Sequence, residues 1–345
     1  MIANRRNFIK ATAGVSLLGA SDAHAGANDP WIGFLHSTTL DSDWELDFFR
    51  GLSNKNYQAD PTEAAGGKTR VNILSRHING KYKKRNPGNV KLAMDDLLAT
   101  IPSSNLKLIV AAGGLIVAQP VAKYLQDQGK SIPLVAAVGR KDSNNWSGYA
   151  NVEGIYFDDV STGTNTNMAK KVSDLTDMGG QYKIPKEKVC FLYNKNSGIG
   201  EAELGELNDI LSLGHDPLNS EASRGGENAS IKLADAFSDI PAGAKAVILS
   251  ADPYFTRHMS EIVRLAAKNS NQFMLCYPLL DYGDEAGAVG MSTAQFMARG
   301  PRLKDVGDAT KGLYLALGEL AGARLAAPGG QYSFKPAAQG YIGLP

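Results

Sequence analysis

The residues that could do chemistry stand where apolar runs of the sequence give way to polar turns. Ser37 and Thr38 follow the run Trp31–Leu35, and the pair Gly113-Gly114 follows another apolar run. Hydroxyl groups and the backbone N–H groups at a helix start can bind a carboxylate. In open α/β sheets, ligands bind outside the carboxyl ends of the strands. These turns therefore predict one half of a ligand site.

The second half of the chain has polar and aromatic side chains at corresponding positions. Asp252 follows the run Ala246–Ser250 and could meet an ammonium group, while Tyr254 or Trp146 could cover an apolar part of a ligand. Each turn taken singly is explained as well by helix capping, and Asp252 could cap the helix predicted near Thr256. Three further candidates stand at strand ends: Asn194, Asn196 and Tyr277.

Two glycine-rich motifs resemble phosphate loops but lack a required residue. Gly198-Ile199-Gly200 follows a strand and opens a helix, yet a dinucleotide fingerprint needs a third glycine where Glu203 stands. Glu201 and Glu203 would also repel a pyrophosphate at the helix start. The segment Gly66–Thr69 lacks the earlier glycine of a P-loop, since Thr62 occupies that position. The sequence therefore predicts no nucleotide cofactor.

The sequence contains no recognisable catalytic or metal-binding signature. It has neither a Gly-x-Ser-x-Gly elbow nor a His-Glu-x-x-His motif, and its histidines are scattered singly. We therefore expect no catalytic residue, no metal site and no cofactor. With 36 Lys+Arg against 35 Asp+Glu, the chain also lacks the basic excess typical of nucleic-acid binding.

The first 25 residues have the pattern of a twin-arginine export signal. Arg5-Arg6 precedes a short apolar core, Ala11–Ala20, and the small-x-small site Ala23-His24-Ala25 follows. This pattern predicts a periplasmic location. The apolar core is shorter than the roughly 20 residues that a membrane-spanning helix requires.

The chain has two cysteines, Cys190 and Cys276, and each lies in an apolar, strand-like run. In a doubly wound sheet these two strands would flank the strand Ala246–Ser250. Two inter-strand spacings separate the backbones by roughly 9–10 Å, which exceeds the reach of a disulfide. Both thiols are therefore predicted to be reduced.

Strands alternating with helices along the whole chain predict an α/β fold with two doubly wound parallel-sheet lobes. The crossing segment Asn151–Gly163 is the predicted hinge. The pattern also predicts a strand near Ala288–Met291 and a last helix over Val306–Leu325. The predicted divisions are the export signal at 1–25, a first lobe at 30–155 plus 285–325, a second lobe at 156–284, and a Gly/Pro-rich surface tail at 326–345.

In the order of these segments the chain resembles the type I periplasmic substrate-binding proteins of ABC transporters, in the tryptophan/tyrosine-type or uncharacterised solute-binding branch. The resemblance covers residues 30 to 325 approximately and departs from the family in the polar insertion before Val71 and the loop before Asn151. It rests on Ile32–Leu35, Leu108–Gly114, Ile132–Val135, Asn151–Gly154 and Val189–Asn194.

The resemblance implies a monomeric binding protein without enzymatic activity. It would trap a small polar or amino-acid-like solute between two lobes and hand it to a membrane permease. Because one fold hosts many functions, a second hypothesis stays open. The alternative is an exported α/β enzyme, with or without a cofactor.

Overall fold

The computed structural model describes most of the chain beyond the predicted export signal. The described residues are 29–36, 42–60, 62–78, 87–141, 146, 148–159, 167–176, 182–194, 198–211, 218–219, 229–252, 255–256, 258–307 and 310–342. The export signal at 1–25 lies outside them.

Six parallel strands form the first sheet. They are β1 Trp31–His36, β4 Asn72–His77, β5 Leu106–Ala111, β6 Leu134–Lys141, β7 Val152–Asp159 and β13 Phe334–Pro336. Their spatial order is β13-β7-β6-β5-β1-β4, and each neighbouring pair is parallel. All six residues of β1 are buried, as expected for a parallel strand with helices on both faces of its sheet. A separate two-stranded sheet joins β2 Tyr57–Gln58 to β3 Thr69–Arg70.

The second sheet repeats this arrangement. Its strands are β8 Val189–Tyr193, β9 Leu218–Asn219, β10 Ala246–Leu249, β11 Met274–Tyr277, β12 Phe296–Gly300 and β14 Gly340–Ile342. The spatial order is β14-β12-β11-β10-β8-β9. Only β14 pairs in the antiparallel direction among these described strands. The predicted α/β class with doubly wound parallel sheets is therefore confirmed.

Helices connect the strands and cover the sheets. They are α1 Ser42–Ser53, α2 Pro87–Thr100, α3 Leu115–Asp127, α4 Asn167–Thr176, α5 Gly198–Leu211, α6 Ala229–Ser238, α7 Met259–Asn269, α8 Leu280–Ala288 and α9 Leu313–Ala326. A single 3-10 turn, Lys186–Lys188, precedes β8.

The strand order predicted around the two cysteines is confirmed. Strand β10 lies between β8 and β11, with Cys190 beside Val247 and Cys276 beside Ile248. Val247 and Ile248 are adjacent residues, so the two thiols point to opposite faces of the sheet. Both cysteines are free and buried.

The region after β11 differs from the prediction. The expected strand near Ala288–Met291 is absent, because helix α8 runs to Ala288 and the next strand, β12, begins only at Phe296. The sequence assigned residues 285–325 to the first lobe. Strand β12 lies in the second sheet, whereas α9 packs against α1 beside the first sheet. Residues 289–295, between α8 and β12, contain no sequence pattern that indicates which sheet β12 joins.

The C-terminal residues also behave differently from the predicted surface tail at 326–345. Strand β13 extends the first sheet and β14 extends the second, with only residues 337–339 between them. The chain therefore passes between the two sheets three times in the described order of strands: after β7, after β12 and after β13.

Arg324, near the end of α9, organises the turn that leads into β13. Its guanidinium donates to the Glu153 carboxylate of β7 at 2.5 Å, and to the carbonyl oxygens of Ala327, Gly330 and Gln331 at 2.9–3.1 Å. Both charged side chains are buried. The buried pair thus ties the end of α9, and the turn before β13, to β7 of the first sheet.

Candidate functional site

At the carboxyl end of β5, the first sheet ends in a glycine turn that opens a helix. Gly114 has φ 74° and ψ −170°, a conformation that is essentially restricted to glycine. It is the residue before α3, and no side chain caps that helix. Its N–H donates to the Ala137 carbonyl oxygen of β6 at 3.2 Å. The turn therefore places the positive end of the α3 dipole at the carboxyl edge of the first sheet.

The second sheet ends in a different kind of turn. Ser250, Ala251 and Asp252 follow β10 directly, and the Ser250 N–H continues the ladder by donating to the Leu192 carbonyl oxygen at 2.9 Å. The Asp252 side chain is buried. Its backbone carbonyl oxygen accepts from the Phe255 N–H at 3.0 Å. The sequence thus placed a buried carboxylate correctly at this strand end.

A second buried carboxylate, which the sequence did not predict as a site residue, lies against the same turn. Glu203 of α5 accepts a hydrogen bond from the Ser250 hydroxyl at 2.5 Å and one from the Ala251 N–H at 3.1 Å. Its position in a failed phosphate-loop motif was the available signal. The sequence analysis used the charge of Glu203 only to argue against a phosphate site, and the sequence did not show that its carboxylate meets Ser250 and Ala251.

Asn194 and Tyr277 are also brought to this end of the second sheet. Asn194 directly follows β8 and is buried. Tyr277 ends β11, and its ring stacks on Tyr282 of α8 with centroids 4.9 Å apart. Burial, and then the negative charge of Glu285, raise the pKa of Tyr277. Tyr277 is fully buried, so it does not line an open surface.

Tyr282 links the tyrosine pair to Asp252. Burial is the largest cause that raises the pKa of Tyr282, and the neighbouring Tyr277 and the Asp252 carboxylate raise it further. The Asp252 charge is therefore close enough to act on the buried phenol. The carboxyl end of the second sheet therefore combines buried carboxylates with buried aromatic rings.

The structure separates Trp146 from the other predicted site residues. Its ring packs on Phe334 and Tyr149, with centroid distances of 4.7 and 6.3 Å. Tyr149 lines a pocket of about 190 Å³ together with residues just before β6 and β7, at the amino ends of those strands. Since parallel strands require each connection to return to the amino edge, the end of this connection lies opposite the candidate site. The expectation that Trp146 stands at the cleft mouth was wrong.

Four predicted site residues lie outside the described residues: Ser37, Thr38, Asn196 and Tyr254. Within the described ranges, no group of three or more His, Cys, Asp or Glu side chains is arranged to hold a metal ion. A search of the same residues for a helix suited to crossing a bilayer found none.

The whole chain was compared with known proteins. No family model matches the sequence, and no curated protein matches it. Solved structures do match. A solute-binding protein from Burkholderia graminis in complex with D-arabinose has 11% identity and a TM-score of 0.56, covering 93% of this chain and 97% of its own. A 5-methylthioribose transporter solute-binding protein from Thermotoga lettingae has 14% identity and a TM-score of 0.55, covering 91% and 86%.

The chain has the fold of the type I periplasmic binding proteins. The fold expected from the resemblance is thus confirmed. A LacI family transcriptional regulator from Enterococcus faecalis V583 with bound ribose also matches, with 9% identity, a TM-score of 0.52 and coverage of 90% and 96%. The periplasmic binding fold therefore serves transport and regulation alike, and identities this low establish the fold alone.

Proposed function

We propose that this protein is an exported solute-binding protein that captures a small amino-acid-like molecule between its two sheets and delivers it to an ABC transporter permease. The observation that carries the proposal is the opposite polarity of the two carboxyl-end turns. The first turn opens helix α3 without a side-chain cap at Gly114. The second holds two buried carboxylates, Glu203 and Asp252.

This polarity suits a zwitterion. A helix start stabilises a carboxylate through its N–H groups and its dipole. A buried carboxylate stabilises an ammonium group when the pair is hydrogen-bonded. In the proposed site, Gly113 and Gly114 contact the ligand from the first sheet, and Asn194 and Asp252 contact it from the second. The sequence adds four further residues to the proposed site: Ser37, Thr38, Asn196 and Tyr254.

Structural neighbours are consistent with this ligand class. One is described as a domain in complex with L-Trp from Streptococcus pneumonia, with a TM-score of 0.50, and another as a leucine-binding protein from Thermotoga maritima, with a TM-score of 0.52. Export through the twin-arginine signal at residues 1–25, a periplasmic location, delivery to a permease and a monomeric state belong to the same proposal. The sequence pattern supports export, and the solute-binding neighbours support delivery to a permease.

A panel of thermal melts tests the proposal. The purified protein is melted with each of the 20 L-amino acids and with D-arabinose and D-ribose. We expect at least one amino acid to raise the Tm, and its α-hydroxy analogue, which lacks the ammonium group, to raise it less. A rise with the sugars alone would overturn the amino-acid assignment. A flavin spectrum of the purified protein would instead favour the cofactor-dependent enzyme.

A further inference from the structure

The segment Gly198-Ile199-Gly200-Glu201-Ala202-Glu203 forms the start of α5, the first helix after β8. Gly200 lets this helix approach the strand end closely. A Cβ atom at Gly200 would lie 2.8 Å from the Asn194 carbonyl oxygen and 3.1 Å from the Tyr193 ring. Because real Cβ atoms do not approach a carbonyl oxygen so closely, a larger residue would push the helix away from β8.

Glu203 lies in this first part of α5, and its carboxylate contacts the residues that follow β10. One carboxylate oxygen, Oε2, accepts both the Ser250 hydroxyl at 2.5 Å and the Ala251 N–H at 3.1 Å. The other, Oε1, lies 3.3 Å from the same N–H. Glu203 and Ser250 are both buried. Hydrogen bonds to an ionised acceptor are roughly twice as strong as those between neutral groups.

These bonds fix the backbone immediately before Asp252. Ser250 and Ala251 are the two residues that join β10 to Asp252, and Glu203 holds a polar group of each. The direction in which Asp252 leaves the sheet therefore depends on Glu203, which lies 48 positions before Ala251 in the chain. We infer that Glu203 is a positioning residue that holds the Ser250–Asp252 turn, so that Asp252 is oriented toward the ammonium group of the ligand. This inference rests on the proposed function, which assigns Asp252 to that contact.

The test compares two variants of Glu203. The Glu203→Gln side chain can keep an amide oxygen at the position of Oε2 and so retain both hydrogen bonds. Glu203→Ala leaves the Ser250 hydroxyl and the Ala251 N–H without this acceptor. Asp235→Asn, which removes an exposed carboxylate from α6, is the control for a general loss of negative charge.

Binding is measured by calorimetry with L-tryptophan and L-leucine, and with their deaminated analogues indole-3-lactate and 2-hydroxyisocaproate. In Glu203→Ala we expect the affinity for the amino acids to fall by about tenfold or more, with unchanged affinity for the hydroxy acids. Glu203→Gln and Asp235→Asn should stay within about threefold of the wild type. Equal losses for amino acids and hydroxy acids would show a merely structural role and overturn the inference.

A double variant tests whether Glu203 acts through Asp252. In the Asp252→Asn background, Glu203→Ala should cause no further loss of amino-acid affinity, because residues that act as a unit are not additive. Additive losses would contradict the inference.

Hydrogen exchange of the Ala251 N–H separates failure of the inference from failure of the proposed function. Without any ligand, Glu203→Ala should speed this exchange by about tenfold, while Glu203→Gln preserves most of the protection. Unchanged exchange in Glu203→Ala overturns the inference whatever the protein binds. If the exchange changes as expected and no amino acid binds the wild type, the proposed ligand class fails instead.

Discussion

The two sheets share one strand order, yet their edges and their carboxyl ends are built differently. In the first sheet, β13 joins β7 in the parallel direction beside the buried pair Arg324–Glu153. In the second, β14 joins β12 in the antiparallel direction. The first sheet ends in a glycine turn, and the second in a turn held by Glu203. A common strand order thus leaves each half free to acquire its own side-chain chemistry.

The largest expected effect concerns the buried pair of the first sheet. In Arg324→Met, Glu153 would remain buried without its cation, and the free energy of unfolding should fall by about 3–5 kcal/mol. Urea denaturation measures this change. Adding Glu153→Gln to the variant should restore part of the loss.

The matched change in the second sheet is Arg299→Met. Arg299 of β12 pairs with Asp174 of α4 at 2.5 Å, and both side chains are 26% exposed. Partial exposure to water weakens such a pair, so we expect a loss of about 1 kcal/mol or less. Equal losses of unfolding free energy in Arg324→Met and Arg299→Met would show that the two ion pairs contribute equally to stability.

The second prediction concerns the chemistry at the carboxyl end of the second sheet. Asp252→Asn keeps the shape of this buried side chain but removes its charge. The affinity for an amino acid identified by the melts should fall by about 1.5–3 kcal/mol, the usual contribution of a hydrogen bond to a charged group. Calorimetry measures the affinity, and thermal melts of the ligand-free variant measure stability. An unchanged affinity with a lowered Tm would assign Asp252 to the helix that follows it.

The third prediction compares helical glycines of the two halves. A Cβ atom at Gly318 of α9 would lie 2.2 Å from the Phe48 carbonyl oxygen of α1 and 3.0 Å from the Gly51 Cα. Gly318→Ala should therefore lower the free energy of unfolding by about 1–3 kcal/mol through overpacking. A Cβ atom at Gly205 of α5 meets nothing within 4 Å. Gly205→Ala should raise the same quantity by about 0.5–1 kcal/mol, because alanine has the higher helix propensity.

These opposite signs follow from the way the helices pack. Helices α1 and α9 meet backbone to backbone at Gly51 and Gly318. The middle of α5 is open at Gly205. A destabilising Gly205→Ala would show that α5 is packed more tightly than its surroundings indicate.

The smallest expected effect is a pH dependence of the free energy of unfolding. It arises from two carboxylates that bind the backbone at residues 303–305, after β12. Asp281 of α8 accepts the N–H groups of Leu303 and Lys304 at 2.8 and 3.1 Å, and Asp47 of α1 accepts that of Asp305 at 2.7 Å. Burial raises the pKa of Asp281 and of Asp47 above the ordinary value of 3.8, although these hydrogen bonds oppose the shift.

A raised pKa means that the folded protein holds the proton more tightly than the unfolded chain does. This contribution to stability is fully present below pH 3.8 and is lost as the pH rises through the folded-state pKa. The difference in unfolding free energy between wild type and Asp281→Asn should therefore decrease with rising pH, and Asp47→Asn should behave alike. Urea denaturation at several pH values measures these differences.

Asp95 provides a control of opposite sign. Its hydrogen bond with Lys91, followed by that with Tyr124, lowers its pKa. The contribution of Asp95 to stability is present above pH 3.8 and is lost as the pH falls through the lowered value. The difference between wild type and Asp95→Asn should therefore grow with rising pH. If the stability differences for Asp95→Asn and Asp281→Asn changed with pH in the same direction, burial would not be the main cause of the raised Asp281 pKa.

Several elements were determined by local sequence pattern. The apolar runs at 108–111 and Ala246–Leu249 are strands because continuous burial on both faces of a parallel sheet requires such runs. The arrangement of β8, β10 and β11 followed from the alternation of strands with helices. That arrangement separates Cys190 from Cys276, so both thiols were predicted to be free. The turns at Gly113-Gly114 and Asp252 were placed correctly at strand ends because a parallel strand must end where its apolar run ends.

Other features depended on contacts between distant residues, and only the tertiary structure decided them. Strands β13 and β14 have three residues each, too few to produce a periodic pattern. The turn before β13 is held by Arg324, whose partner Glu153 lies 171 positions away in the chain. Trp146 lies at the amino edge because the return of the chain to β7, and not the polarity of its loop, sets its position. Glu203 in a helix and Ser250 after a strand were each readable from sequence. Their meeting was not, because it depends on how closely Gly200 lets α5 approach β8.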